Sequence, residues 1–185
     1  MSSLPLITVS VAEYLENEKS SDVRHEYLAG QVYAMAGVSA THNIIAGNMF
    51  SRLRAHLRGG PCRVFISDMK VYIEAIDFFY CPDVVVTRDP QDTGDYFKTR
   101  PCLIIEVSSP STAVTDRREK LLAYQKLDSL REYVLIAQDE VKVEFYARDR
   151  EGHWWLHTLD PKGELRLKSV GLTMPIAEIY DDVSF

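Results

Sequence analysis

The sequence predicts an α/β (α+β) domain with a mixed central β-sheet flanked by helices. Three observations carry this. "PDVVV" (82–86) and "CLIIEV" (102–107) have the unbroken hydrophobicity of strands buried on both faces. A helical segment beginning at Asp116 lies between "CLIIEV" and "EYVLIA", the pattern of a parallel crossover. The remaining periodicities run α, β, α, several β, α, several β, and the length of 185 residues suits a single domain over 1–185.

The elements follow in order. "SVAEYLENE" carries a capping-box pattern, Ser10 with Glu13, ahead of a short amphipathic helix. "VRHEYLAGQVYAMAG" reads as a helix end or extended lead-in, a turn at Gly30 and a strand from Val32 to Met35. From Thr41, a plausible N-cap, to Arg58 the apolar residues Ile44, Ile45, Met49, Leu53 and Leu57 fall at helical spacing, and Gly59-Gly60-Pro61 ends the helix. "CRVFIS" and "MKVYIEA" are strand-like, and 88–100 is a polar loop. Asp116 and Glu119 suggest a second capped helix, reaching Leu127, with Leu121 and Leu122 against the sheet. "EYVLIA" and "VKVEFYA" form a hairpin, "HWWLHTL" and "LRLK" continue the β pattern, and "MPIAEIY" closes as a short helix.

Composition bounds the function. Hydrophobic residues are 46%, charged residues 26% and the net charge is -6, which argues against a sequence-blind nucleic-acid coat. Cys62, Cys81 and Cys102 cannot pair completely and form no C-x-x-C, the usage of a reduced, cytoplasmic protein. The opening "MSSLPLITVSVAEYLENE" has neither a basic start nor a long apolar run, so neither a signal peptide nor a membrane partner is expected.

One residue in the apolar run at 102–107 breaks the pattern: Glu106. A buried carboxylate without a partner costs several kcal/mol or takes up a proton. Asp83 opens the preceding buried strand, so the two acids can meet at one sheet edge and hold Mg²⁺ (or Mn²⁺), a hard cation that needs few protein carboxylates. Lys120, in the first turns of the next helix and on one face with Tyr124, can orient a water and stabilise charge growing on a phosphate. That reading gives Lys120 a part in chemistry rather than in folding. His42, just inside a helix start, is a candidate phosphate contact. Asp68 reads as a turn residue, and His153 and His157 as part of a surface hairpin. Tyr72, Phe78, Phe79 and Tyr80 are candidates for base stacking, a core or a dimer contact.

"HEYLAGQVYAMAGVSATHNIIAGNM", "PDVVV", "EVSSPST" and "DRREKLLAYQKLDSLREYVLI", in this order, resemble the Uma-type restriction endonuclease family. That family is a branch of the PD-(D/E)XK nuclease-like superfamily, and the resemblance covers about residues 10 to 180. It implies a restriction-endonuclease-like core over about residues 20–150 and a metal-dependent endonuclease acting on DNA. Asp83 matches the first acid of the motif and Glu106 the second. The superfamily's usual lysine falls where this chain has Ser108, and its place passes to Lys120 on the helix. Glu26 is the nearest match to an acid that the superfamily carries on its first core helix. A homodimer is expected, since two related sites cut both strands of a duplex. The alternative is an inactive nuclease-fold module for binding or regulation, favoured by Ser108 and the acidic charge.

Overall fold

The computed structural model of the protein describes residues 8–109 and 115–185. The opening residues 1–7 and the 110–112 part of "EVSSPST" lie outside them. Helix α1 is Val11–Ser20, started by the capping box of Ser10 and Glu13. The hairpin β1 (His25–Leu28) and β2 (Gln31–Ala34) follows, turning through Ala29 and Gly30, both at positive φ. An added Cβ at Gly30 would meet the Thr8 Cβ at 2.9 Å, so both conformation and space require glycine there. Helix α2 is Ala40–His56, with Ser39 rather than Thr41 as N-cap.

The strands β3 (Arg63–Ile66), β4 (Lys70–Ile73), β5 (Phe78–Tyr80), β6 (Val84–Thr87), β7 (Phe97–Lys98) and β8 (Pro101–Ser108) come next. A π-helical turn, Asp116–Lys120, then runs into α3, Leu121–Tyr124. Thr115 is already helical, so Asp116 lies inside the helix and pairs with Lys120, which corrects the capping role expected of it. The chain ends with β9 (Glu132–Ala137), β10 (Val143–Arg148), β11 (Trp154–Thr158), β12 (Glu164–Leu167), β13 (Leu172–Pro175) and α4 (Ile176–Ile179).

The described strands form two principal sheets. One is six-stranded and mixed, in the order β11-β10-β9-β8-β6-β3. Its parallel pair is β8 with β9, joined by the crossover through α3. The second, β2-β1-β5-β4-β7, collects the lead-in hairpin and the "MKVYIEA" and "FFY" segments. The helix α2 lays Ile45, Ala46, Met49 and Leu53 on one face of the six-stranded sheet, against Val84, Val86, Leu103 and Ile105. The opposite face carries Val85, Ile104 and Tyr133, and is covered by Ala123, Tyr124 and Leu127. Both faces of β8 are therefore buried, which explains its continuous apolar run.

Two packing expectations are corrected. Leu122 is exposed, and Leu121 alone of the pair joins the core. Phe79 and Tyr80 are buried rather than presented to a partner, and Phe79 stacks on Tyr72 at 4.1 Å between centroids. Phe79 and Tyr80 are core, and Phe78 packs partly buried against the Tyr80 ring.

Candidate active site

Side chains alternate along a strand, so Glu106 shares with Ile104 the face that α3 covers. There its Oε1 accepts a hydrogen bond from the Tyr124 hydroxyl at 2.8 Å and one from Lys120 Nζ at 3.2 Å. Lys120 and Tyr124, four positions apart, thus meet the same oxygen, as their helical spacing suggests. Lys120 Nζ also lies 3.1 Å from Glu26 Oε1 and 3.5 Å from Asp116 Oδ1. Glu26 stands on β1, not on a helix as the resemblance implied, and reaches the cluster from the second sheet. Its Oε1 is buried at ion-pair distance from Lys120 yet makes no hydrogen bond.

Asp83 sits directly before β6, the antiparallel neighbour of β8. Its Oδ2 accepts the Val107 N–H at 2.7 Å, which bolts it to the strand that carries Glu106. His42 Nε2 lies 2.7 Å from the other oxygen, Oδ1. The Ser39 cap accepts the His42 backbone N–H at 3.1 Å, so the first turn of α2 aims this ring. His42 therefore orients Asp83 and is engaged by it.

The electrostatic balance is uneven. Glu26, Glu106 and Asp116 surround one ammonium, and the charge of Asp83 also acts on Glu106. The side chains of Glu106, Asp116 and Lys120 are 6%, 4% and 11% exposed. Burial lifts the Glu106 carboxyl to about 8; Lys120 opposes this, while Asp83, Asp116 and Glu26 add to it. Burial works to lower the pKa of Lys120, but Glu106, Glu26 and Asp116 outweigh it and hold the ammonium well above its ordinary value. Burial, then the charge of Glu106, raises the Tyr124 phenol as well. Near neutrality the site holds a charged lysine, a neutral tyrosine and a glutamate poised to titrate.

Lys120 thus answers part of the puzzle of Glu106: a fixed protein cation stands beside it. The geometry adds to the expectation that Lys120 serves chemistry: its ammonium also bridges three carboxylates from β1, β8 and the π-helical turn. One ammonium does not balance the three acids around it, however. Both contacts to Glu106 fall on Oε1, and Oε2 has no partner among the described residues. Asp83 keeps unused lone pairs on both oxygens. Two carboxylates with free lone pairs suit a hard divalent cation that retains its waters. Among the described residues, the three ligand-type side chains whose donor atoms come within 4.8 Å of one another are Asp149, Glu151 and His153. They lie in the exposed β10–β11 turn, where Asp149 already accepts from the Glu151 and His153 backbones and from Trp155 Nε1. This is the surface hairpin expected around His153 and His157.

Of the residues singled out in the sequence, Asp83, Glu106, Lys120, Tyr124, Glu26 and His42 all come together here. Ser108 instead turns its hydroxyl toward the Ile136 carbonyl, 3.5 Å away. Asp116 was missed as a site residue. Its i, i+4 spacing to Lys120 was the available signal.

A mixed sheet with helices on both faces, acids on two adjacent strands, and a helix-borne lysine at the second of them are the features of a restriction-endonuclease-like nuclease fold. The chain belongs to the Uma2 family, described as "Putative restriction endonuclease", whose pattern matches residues 11–177. It is 37% identical over 184 residues to the uncharacterized protein slr1290 of Synechocystis sp., covering 99% of this chain and 97% of that one. It is 32% identical over 154 residues to a second Synechocystis protein, sll1609, covering 82% and 87%. Among solved structures, "a putative nuclease belonging to DUF820" from Anabaena variabilis superposes with a TM-score of 0.75 at 17% identity, covering 94% of this chain and 98% of that one. That likeness shows the fold. No helix among the described residues is long and apolar enough to cross a membrane.

Proposed function

We propose that the protein is a divalent-metal-dependent endonuclease that hydrolyses DNA phosphodiester bonds, and that Asp83, Glu106 and Lys120 carry the reaction. The observation that supports it most is the excess of buried carboxylate around a single ammonium, with Glu106 lifted to about 8. A bound Mg²⁺ or Mn²⁺ would be held by Asp83 and Glu106, and would supply positive charge at the scissile phosphate.

The chain's own residues do the rest. Tyr124 and Lys120 fix Glu106 through Oε1 and leave Oε2 open. His42 and the Val107 N–H fix Asp83. Lys120, held by Glu26 and Asp116 as well, is positioned to orient an attacking water and to face the charge that develops on phosphate. This reading takes 1–185 as one domain with its nuclease core at about 20–150. It takes duplex DNA as partner and a two-fold homodimer as the assembly that cuts both strands. Three unpaired cysteines support a reducing, cytoplasmic setting.

Calorimetric titration of Mn²⁺ tests the centre. Wild type should bind one ion and Asp83→Ala none; equal binding by both proteins would overturn the proposal. The inactive-module reading draws on Ser108, which is buried and turned to the backbone where the superfamily's lysine usually stands. In that case neither protein would bind metal.

A further inference from the structure

A cleft of about 810 Å³ opens beside the acid cluster, between β3, an edge strand of the six-stranded sheet, and β7, an edge strand of the other. Its size is that of a small-ligand site. Its floor is an ion pair, Glu18 with Lys70 at 3.2 Å, each side chain 7% exposed. Rings of Phe65, Phe97 and Tyr96 line it. Phe65 has the Lys98 ammonium 5.0 Å from its centroid, and Phe97 is braced edge-on by Tyr72 and Phe79. Tyr96, by contrast, is 65% exposed, a large ring left facing the opening.

The rim joins this cleft to the candidate active site. Arg24 and Asp68 pair across it at 2.8 Å. Arg24 is two residues before Glu26. The residue before Asp68, Ser67, donates its N–H to the Asp83 carbonyl at 2.9 Å. One wall of the cleft, the stretch that holds Ile66 and Asp68, is thus hydrogen-bonded to the backbone that carries Asp83.

We propose that this cleft receives an unpaired nucleotide of the nucleic-acid strand that enters the active site. The inference rests on the nuclease reading for its substrate class. Flat rings with one exposed tyrosine suit a base, since every base offers a π face and stacking is tolerant of sequence. Glu18 is held through Oε1 by His25 Nδ1 at 2.8 Å and through Oε2 by Lys70, so the floor is fixed and its Lys70 ammonium supplies a donor for a base edge, while Arg24 supplies charge for the adjoining phosphate. The exposed Arg24–Asp68 pair costs little to open, because surface ion pairs contribute about 0–1 kcal/mol. A wholly apolar cleft would favour a lipid tail and a wholly charged one a free ion; this lining mixes rings with hydrogen-bonding groups.

The test is calorimetric, on the full chain in EDTA, with three probes: dAMP, deoxyribose 5-phosphate and a single-stranded deoxyhexamer. The hexamer and dAMP should bind and the sugar phosphate should not. Tyr96→Ala, an exposed loop change, should weaken both about tenfold or more, and Tyr96→Phe should restore them. Equal binding of the sugar phosphate and dAMP, unchanged affinity in Tyr96→Ala, or binding of dAMP but not of the hexamer would each overturn the proposal. Asp83→Ala separates the two readings: it should lose DNA cleavage and keep dAMP affinity. Nucleotide binding by a wild type that cuts nothing would count against the nuclease reading alone.

Discussion

Metal should stabilise the protein strongly at pH 8 and hardly at all at pH 5. Burial lifts Glu106 to about 8, so at pH 5 only about one molecule in 10³ carries the carboxylate that a cation needs. Apparent affinity should therefore fall by a factor of several hundred between the two pH values. With Mg²⁺ at about 100 times its dissociation constant at pH 8, the stabilisation is roughly 2.7 kcal/mol; at pH 5 the same concentration gives about 0.1 kcal/mol. For a chain of this size that is a rise in Tm of about 5–10 °C at pH 8 and under about 1 °C at pH 5. The sign for the apo protein is opposite. A carboxyl raised on folding contributes stability that is fully present below its unfolded pKa and is lost as pH rises through the folded one. Apo stability should thus decline between about pH 4.5 and pH 8. Scanning fluorimetry with and without Mg²⁺ at both pH values is the assay. An equal shift at pH 5 and pH 8 would show that Glu106 does not hold the metal.

Further outcomes follow from the same geometry. Glu106→Gln should flatten the apo stability profile between pH 5 and pH 8 and abolish the metal shift; thermal melts across that range would show a retained slope if another group is responsible. Lys120→Ala leaves buried acids uncompensated and should cost roughly 3–5 kcal/mol in denaturant melts, with part regained in Mg²⁺; a melt unchanged from wild type would show that the ammonium holds nothing. The same variant should cut DNA roughly 10²–10³ times more slowly at a temperature where it remains folded, and a wild-type rate would remove Lys120 from the chemistry. Tyr124→Phe deletes a buried hydrogen bond to Glu106 and should cost about 1–3 kcal/mol. Light scattering should give a dimer mass at micromolar concentration, and a monomer mass would reject the assembly.

Much of this candidate site is legible in the sequence, because burial and charge conflict there in a visible way. A glutamate inside "CLIIEV" and an aspartate ahead of "VVV" mark the ends of adjacent buried strands, and these do pair as β6 and β8. Lys120 and Tyr124 were found by helical spacing, which survives the π-helical turn that precedes α3. What the sequence hid was long-range. Glu26 reaches Lys120 from a hairpin of a different sheet, and nothing local announces that approach. The division of the strands into two sheets was equally hidden, since "CRVFIS" and "MKVYIEA" have similar local patterns yet pair with different partners. Asp116 was misread because an acid at a helix start serves equally well as a cap or as a buried counterion. Leu122 was placed inward from its neighbour, although adjacent helical residues point about 100° apart.

The proposed reaction is the cutting of DNA by the acid cluster with the help of a divalent cation. Incubation of supercoiled plasmid and of single-stranded DNA with wild type and Asp83→Ala, in Mg²⁺, in Mn²⁺ and in EDTA, measures it most directly. Wild type should cleave with either metal and not in EDTA, and Asp83→Ala should cleave under no condition. Cleavage by wild type and Asp83→Ala at equal rates, or the absence of cleavage by wild type on either substrate, would contradict it.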